Sequence, residues 1–448
     1  MDRVKAGFVG FGCVSYPREI IERRSIRAKE ELEKAGLELV YTPPVSTLEE
    51  ADRAIGDLKE EDFDFLILCI ASWIESPIVI RVTDEFRDKP ILLWGLGGYT
   101  QNGSLVSPAS QAGTSGLRWT LEAMGYKFKY IYDFPDSPMS IDKVLAFSKV
   151  TKTIKKLRHS KIGMMGYADM GLYVCMFDGM SLRAKIGPEV EVFDMLEIIQ
   201  KMEKIAHKDI QILLEEKKKS WNINPDVREE ALINAIRIYL AIKEKIKENS
   251  YSAISIKCVE GMKKYMNFPP CIILTMLSEE MPAICEDDAL GAVTQLIIHY
   301  LTGQPAPYVE MYEFMKDRIL VGICGFVPPG VTEGRVCVAR YAGWGGLSEG
   351  AMNVSKMKTG PLMLIRLFSK GDVYRLHMVA GEGLSPRRWE ELGWEAPAPF
   401  FPSLEIKLNI PVEDFAQKIT SQHYFVIYGD YREEIKDLCK LLDIEVVE

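Results

Sequence analysis

Three consecutive acids, Glu286, Asp287 and Asp288, interrupt the otherwise apolar run MPAICEDDALGAV from Met281 to Val293. A carboxylate in such surroundings needs a hydrogen-bond donor or a counter-charge. Asp288 directly precedes ALGAVTQLIIHYLTG and suits an N-cap, its carboxylate accepting backbone N–H bonds of the first helical turn. Glu286 stands just ahead of that cap, where the positive end of a helix favours an ionised carboxylate. A divalent cation would supply its counter-charge; a solvated loop acid is the plainer alternative. Asp287 is most simply solvated.

Further acids and histidines qualify by position. In PYVEMYEF, Glu310 shares a strand face with Tyr308 and Tyr312 while Glu313 points the other way, so one of the two acids is expected to be exposed. Glu260 follows the apolar strand SAISIKC, at a strand end where α/β domains contact ligands; a helix-starting acid near Lys263 and Lys264 is the alternative. Of five histidines, His159 and His207 lie in charged stretches, His299 reads as a core histidine, and His377 faces a core or a pocket. His423 opens the strand HYFVIYG just after Thr420, Ser421 and Gln422, a placement suited to a cavity rim. Gly10-x-Gly12-x-x-Ser15 after the first strand is similar to a dinucleotide-binding turn. Ser15 replaces the third glycine, however, and Pro17 intrudes where the helix should start, so a plain tight turn serves equally. The nine cysteines contain no CxxC pair, which points to buried free thiols rather than a disulfide framework or zinc knuckle.

The elements that position these residues follow from patterning. A chain of 448 residues exceeds what one core serves and suggests about three domains. Continuous apolar strands alternating with amphipathic helices over residues 1–157 predict a doubly wound, Rossmann- or flavodoxin-like α/β domain. The pattern restarts at KIGMMGYADMG and predicts a second such domain over 158–302, with long helices near 194–219 and 226–247 and another begun by Pro269 and Pro270. Over 303–448 the texture changes to short strands and turns, with SKGD between two apolar runs as a hairpin signal. A mostly antiparallel β-barrel or sandwich is expected there, closed by the helix YREEIKDLCKLL. A net charge of -9 lacks the clustered positive excess that nucleic acid requires. No apolar run reaches the ~18 residues of a membrane span, and the N-terminus does not read as a signal peptide, so a cytoplasmic protein acting on a small molecule is expected.

Taken in order, several blocks resemble the L-fucose isomerase and L-arabinose isomerase superfamily of metal-dependent aldose–ketose isomerases. They are FPPCIILTMLSEEMPAICEDDALGAV, YVEMYEF, TGPLMLIRLFSKGDVYRLHMVAGEG and QHYFVIYGD. The resemblance implies that Glu286, Glu310 and His423 hold a divalent metal, usually manganese with magnesium or cobalt as alternatives. It also implies that Glu286 and Glu310 carry the proton of an enediolate reaction. Glu260 matches a substrate-facing position, and Trp73 in ASWIES matches a tryptophan that a neighbouring subunit lends to the pocket. A homotrimer or homohexamer follows. Where arabinose-type members carry a further histidine ligand, this chain has Ile323 and Cys324, so a three-ligand, fucose-type site is expected, with Ala342–Met352 lining the sugar pocket. Two other functions fit the same pattern: a sugar-binding or regulatory protein using the α/β domains as a clamp, and an NAD(P)-dependent dehydrogenase built on the Gly10–Gly12 turn.

Overall fold

The computed structural model describes residues 4–322, 325–341, 349–386 and 402–448. Ile323, Cys324 and residues 342–348 therefore lie outside the described residues. The chain divides into two compact units, one of Met1–Lys155 with Glu433–Leu442, the other of Lys156–Arg432 with Asp443–Glu448.

In the first unit, strands β1 (Lys5–Phe11), β2 (Glu38–Val45), β3 (Phe65–Ile70), β4 (Ile91–Gly95) and β5 (Phe128–Tyr132) form a parallel sheet in the order β2-β1-β3-β4-β5. Alternate side chains of these apolar strands feed two separate cores. Val9, Leu66, Leu68 and Leu93 pack on one face, and Phe8, Phe65, Ile67 and Trp94 on the other. Burial on both faces is why the strands read as unbroken apolar runs. Helix α1 (Arg18–Lys34) covers the second face through Ile21, Ala28 and Leu32.

The second unit holds another parallel sheet, of β6 (Lys161–Met165), β7 (Glu189–Phe193), β8 (Ala253–Ile256) and β9 (Ala283–Cys285) in the order β9-β8-β6-β7. Pro270 precedes the helix Cys271–Leu277, as its fixed φ allows. The helix expected over 194–219 is broken into Met195–Met202 and His207–Ser220. Helix α2 (Ala289–Thr302) leads from this sheet into the barrel strands.

Those strands are β10 (Tyr308–Phe314), β11 (Ile319–Gly322), β12 (Gly360–Lys370), β13 (Val373–Leu384), β14 (Pro402–Leu408) and β15 (His423–Tyr428). They pair antiparallel in the order β12-β15-β10-β11-β14-β13, and β12 pairs with β13 to close the ring. The C-terminal region is thus a closed six-stranded barrel, with β16 (Glu445–Val447) added in parallel to β13. The SKGD hairpin is present: Lys370 pairs with Val373 across Gly371, whose φ is +63°. One expectation is corrected. Helix α3 (Arg432–Leu442) does not close the barrel, because its residues from Glu433 onward belong to the first unit. Its amphipathic face carries the reason: Leu441 packs on the Phe8 core, and Asp437 accepts from Lys129 Nζ at 2.6 Å.

Candidate active site

Ile256 and Cys285 are register partners, so the segments leaving β8 and β9 start side by side at the C-terminal edge of the sheet. Ser255 pins that start, its hydroxyl donating to the Cys285 carbonyl at 3.3 Å and accepting from the Asp288 N–H at 3.1 Å. The Glu286 N–H donates to the Ile256 carbonyl at 2.9 Å. Between these anchors Glu286 and Asp287 both take left-handed backbone, with φ of 68° and 52°. That conformation costs about 1–2 kcal/mol at each non-glycine residue, and such strain collects at functional sites. All three acids are buried, Glu286 at 5% exposure and Asp287 and Asp288 at 0%.

Asp288 has two structural duties. It caps α2 by accepting from the Gly291 N–H at 2.8 Å. It also accepts from both terminal nitrogens of Arg366 on β12, at 2.5 and 2.9 Å, and from the Tyr308 hydroxyl at 3.0 Å. Burial alone would raise the Asp288 carboxyl; the charge and hydrogen bonds of Arg366 outweigh it and hold the group below its ordinary value. Tyr308, fixed by this bond, stacks on the His423 ring with centroids 4.1 Å apart and planes at 15°. His423 is buried, which pushes its pKa down to about 3 and leaves the imidazole neutral. Its Nδ1 lies 3.2 Å from Glu286 Oε2.

Glu310 sits directly opposite His423 in the β10–β15 register, which sets their Cβ atoms about 5 Å apart. Its carboxyl is half-buried, and that burial raises its pKa, whereas Glu313 is exposed. Glu260 lies in the π-helical turn Cys258–Lys263, a geometry frequent at functional sites. Asp169 caps that turn, accepting from the N–H groups of Val259 and Glu260 at 2.7 and 2.9 Å and from the Cys258 thiol at 3.1 Å. The Glu260 side chain is exposed, on the wall of a cleft of about 650 Å³ that Lys257, Asp194 and Tyr265 also line.

The expectation for Asp287 is overturned: it is enclosed rather than solvated, and its carboxyl is pushed up to about 8. Burial is the main cause and the charge of Asp169 the second, against an opposing pull from Lys257. Trp73 belongs to the first unit and is 44% exposed. The Gly10–Gly12 turn has a packing explanation, since a Cβ on Gly12 would lie 2.5 Å from Ile21 Cδ1 of α1.

The structure thus brings Glu286 and His423 into contact, pairs Glu310 with His423 in the strand register, and leaves Glu260 on the wall of its own cleft. The donors fit a divalent cation, because a carboxylate and a neutral imidazole face each other at about the edge length of one coordination shell. The sequence reading missed Arg366, Asp169 and the thiols of Cys258 and Cys285. An arginine inside the apolar run PLMLIRLF was a usable signal, since buried arginine demands a partner; Asp169 in a glycine-rich turn gave none.

No protein-family model matches the chain. A sulfoquinovose isomerase from Priestia aryabhattai is 22% identical over 456 residues, covering 98% of this chain and 97% of its own. One from Alkalicoccus urumqiensis is 22% identical over 409 residues, 86% of each chain. An L-arabinose isomerase from Escherichia coli O7:K1 is 22% identical over 238 residues, 49% of this chain and 46% of its own. Similarity over most of the chain to the sulfoquinovose isomerases, and over about half of it to the L-arabinose isomerase, agrees with the resemblance read from the sequence, and the chain fits the superfamily of sugar aldose–ketose isomerases.

Proposed function

We propose that the protein interconverts an aldose and its ketose at a divalent-cation site made by Glu286, Glu310 and His423. The observation that carries this reading is the 3.2 Å approach of His423 Nδ1 to Glu286 Oε2, between residues 137 positions apart, in a chain whose near-full-length relatives are sugar isomerases. A bound cation, manganese by the resemblance, supplies polarisation of the sugar carbonyl and of the neighbouring hydroxyl.

The chain's own residues do the rest. Glu286 and neutral His423 supply the donors, with Tyr308 stacked against the imidazole to fix its plane. Glu310, its carboxyl raised by burial, takes the proton from C2 of the open-chain aldose and returns it to C1. The C2–H bond breaks, a C1–H bond forms, and hydrogen passes from O2 to O1, so that an enediolate separates the two halves of the reaction. Glu260, beside its cleft, contacts hydroxyls farther along the sugar. Trp73 completes the pocket from a neighbouring subunit, in a trimer or hexamer. Light scattering tests that assembly.

The test is a panel of aldoses incubated with manganese and followed for ketose formation. Sulfoquinovose heads the panel because the relatives are named for it, followed by pentoses and 6-deoxyhexoses. Ketose formation that Glu310→Gln abolishes supports the reading; tight sugar binding without turnover of any member supports a binding protein instead.

A further inference from the structure

A cleft of about 710 Å³ opens within the first unit, where the segments leaving β4 and β5 face helix α1. Arg24, Arg27 and Glu31 stand on one face of α1 and line it. Tyr99 and Phe134 supply aromatic rings from the opposite segments, and Phe134 is 63% exposed. The acids of the cleft are already engaged. Asp133 accepts from Trp94 Nε1 at 3.0 Å and from the Ser140 N–H at 2.9 Å. Asp136 accepts from the Thr100 N–H at 3.0 Å and from its hydroxyl at 2.5 Å, and Glu31 accepts from Lys34 Nζ at 2.9 Å. The arginines differ: neither Arg24 nor Arg27 forms an ion pair among the described residues. Arg24 is half-buried, donates from Nη2 to the Gly97 carbonyl at 2.6 Å, and has its Nε enclosed without a partner. Its guanidinium carbon lies 5.4 Å from the Tyr99 ring centroid. Burial pulls the Arg24 pKa below its ordinary value, and the opposing pull of Asp133 is too weak to offset this.

We propose that this cleft binds a small organic molecule carrying an oxyanion, a phosphate or a sulfonate, with the oxyanion on Arg24 and Arg27 and the apolar remainder against Tyr99 and Phe134. A guanidinium keeps its charge inside a protein. Taken partly out of water with no carboxylate beside it, Arg24 carries a desolvation cost that a bound anion offsets. The planar N–H fork of arginine matches paired oxyanion oxygens, and residues three apart on a helix are neighbours, close enough to share one anion. The exposed ring of Phe134 gives the rest of the ligand an apolar surface. Every residue of the cleft belongs to the first unit, and none is a member of the proposed cation site. The inference therefore stands apart from the sugar chemistry.

The test is isothermal titration calorimetry of the full-length protein with phenyl phosphate and benzenesulfonate, and with inorganic phosphate and benzyl alcohol as their separate halves. Saturable binding of an aryl oxyanion is expected, tighter than that of either half, and the ranking of phosphate against sulfonate names the preferred oxyanion. Arg24→Gln and Arg27→Gln should each weaken it about tenfold or more, the usual loss of a charged hydrogen bond. Lys59→Gln, at a surface cation outside the cleft, should leave it unchanged. Arg27 is exposed, so its variant decides where Arg24→Gln fails to fold. No saturable binding of either aryl oxyanion, binding of benzyl alcohol or inorganic phosphate just as tight, or affinity unmoved in both arginine variants overturns the inference. Absent binding together with a changed light-scattering mass of Arg27→Gln assigns the cleft to contact between copies of the chain and overturns it as well.

Discussion

Replacing Asp288 with asparagine keeps the volume and most of the capping of α2 but removes the charge that faces Arg366. The guanidinium is 1% exposed and Asp288 is 0% exposed, so the variant strands a buried cation. Breaking one side of a buried pair costs about 3–5 kcal/mol, and the Tyr308 hydroxyl loses its charged acceptor as well. With a urea slope of about 3 kcal/mol per M for a unit of this size, the unfolding midpoint should fall by about 1 M or more. Intrinsic fluorescence across a urea series reads the shift. Adding Arg366→Met should recover part of the loss, because the second change removes the stranded charge. A midpoint for Asp288→Asn within about 0.2 M of wild type would refute the claim that this pair anchors the barrel to the site.

Other consequences are more local. Glu310→Gln should lower kcat by about 10²–10⁴-fold, the usual loss for a general base, and should leave the unfolding midpoint nearly unchanged; steady-state kinetics on the best sugar of the panel checks this. Glu191 is held down to about 2, chiefly by its hydrogen bond from Lys161, with Tyr251 adding a second. A depressed carboxylate stabilises the fold above its ordinary pKa of 4.5 and loses that contribution as pH falls from there toward about 2. The pair is partly exposed, so after solvent screening the contribution is about 1 kcal/mol, and Glu191→Gln should flatten the acid limb of a stability–pH profile in that window. Gly12→Ala should destabilise the first unit by about 1–3 kcal/mol through the clash with Ile21, measured by thermal unfolding.

Local signals carried much of this architecture into the sequence. Apolar runs marked β1 to β4 of the first parallel sheet and β6 and β8 of the second, the Gly371–Asp372 turn marked the β12–β13 hairpin, and Asp288 announced the start of α2. The face of Glu310 followed from strand periodicity. What the sequence withheld depends on distant partners. Other barrel pairings, such as β10 with β15 and β12 with β15, join strands far apart in the chain, and Arg366 finds Asp288 across 78 residues. The burial of Asp287 depends on the turn that carries Asp169, and α3 joins a unit whose other residues end at Lys155. Apart from an arginine standing inside an apolar run, none of these leaves a periodic or compositional trace.

Equilibrium dialysis against a mixture of manganese, cobalt and zinc, with the bound metal measured per chain, bears most directly on the shared role of Glu286 and His423. About one ion per wild-type chain is expected, with affinity falling about tenfold or more in Glu286→Gln and in His423→Gln and unchanged in Glu260→Gln. A wild-type chain that retains no divalent ion, or a Glu286→Gln chain that holds it as tightly, would contradict the account.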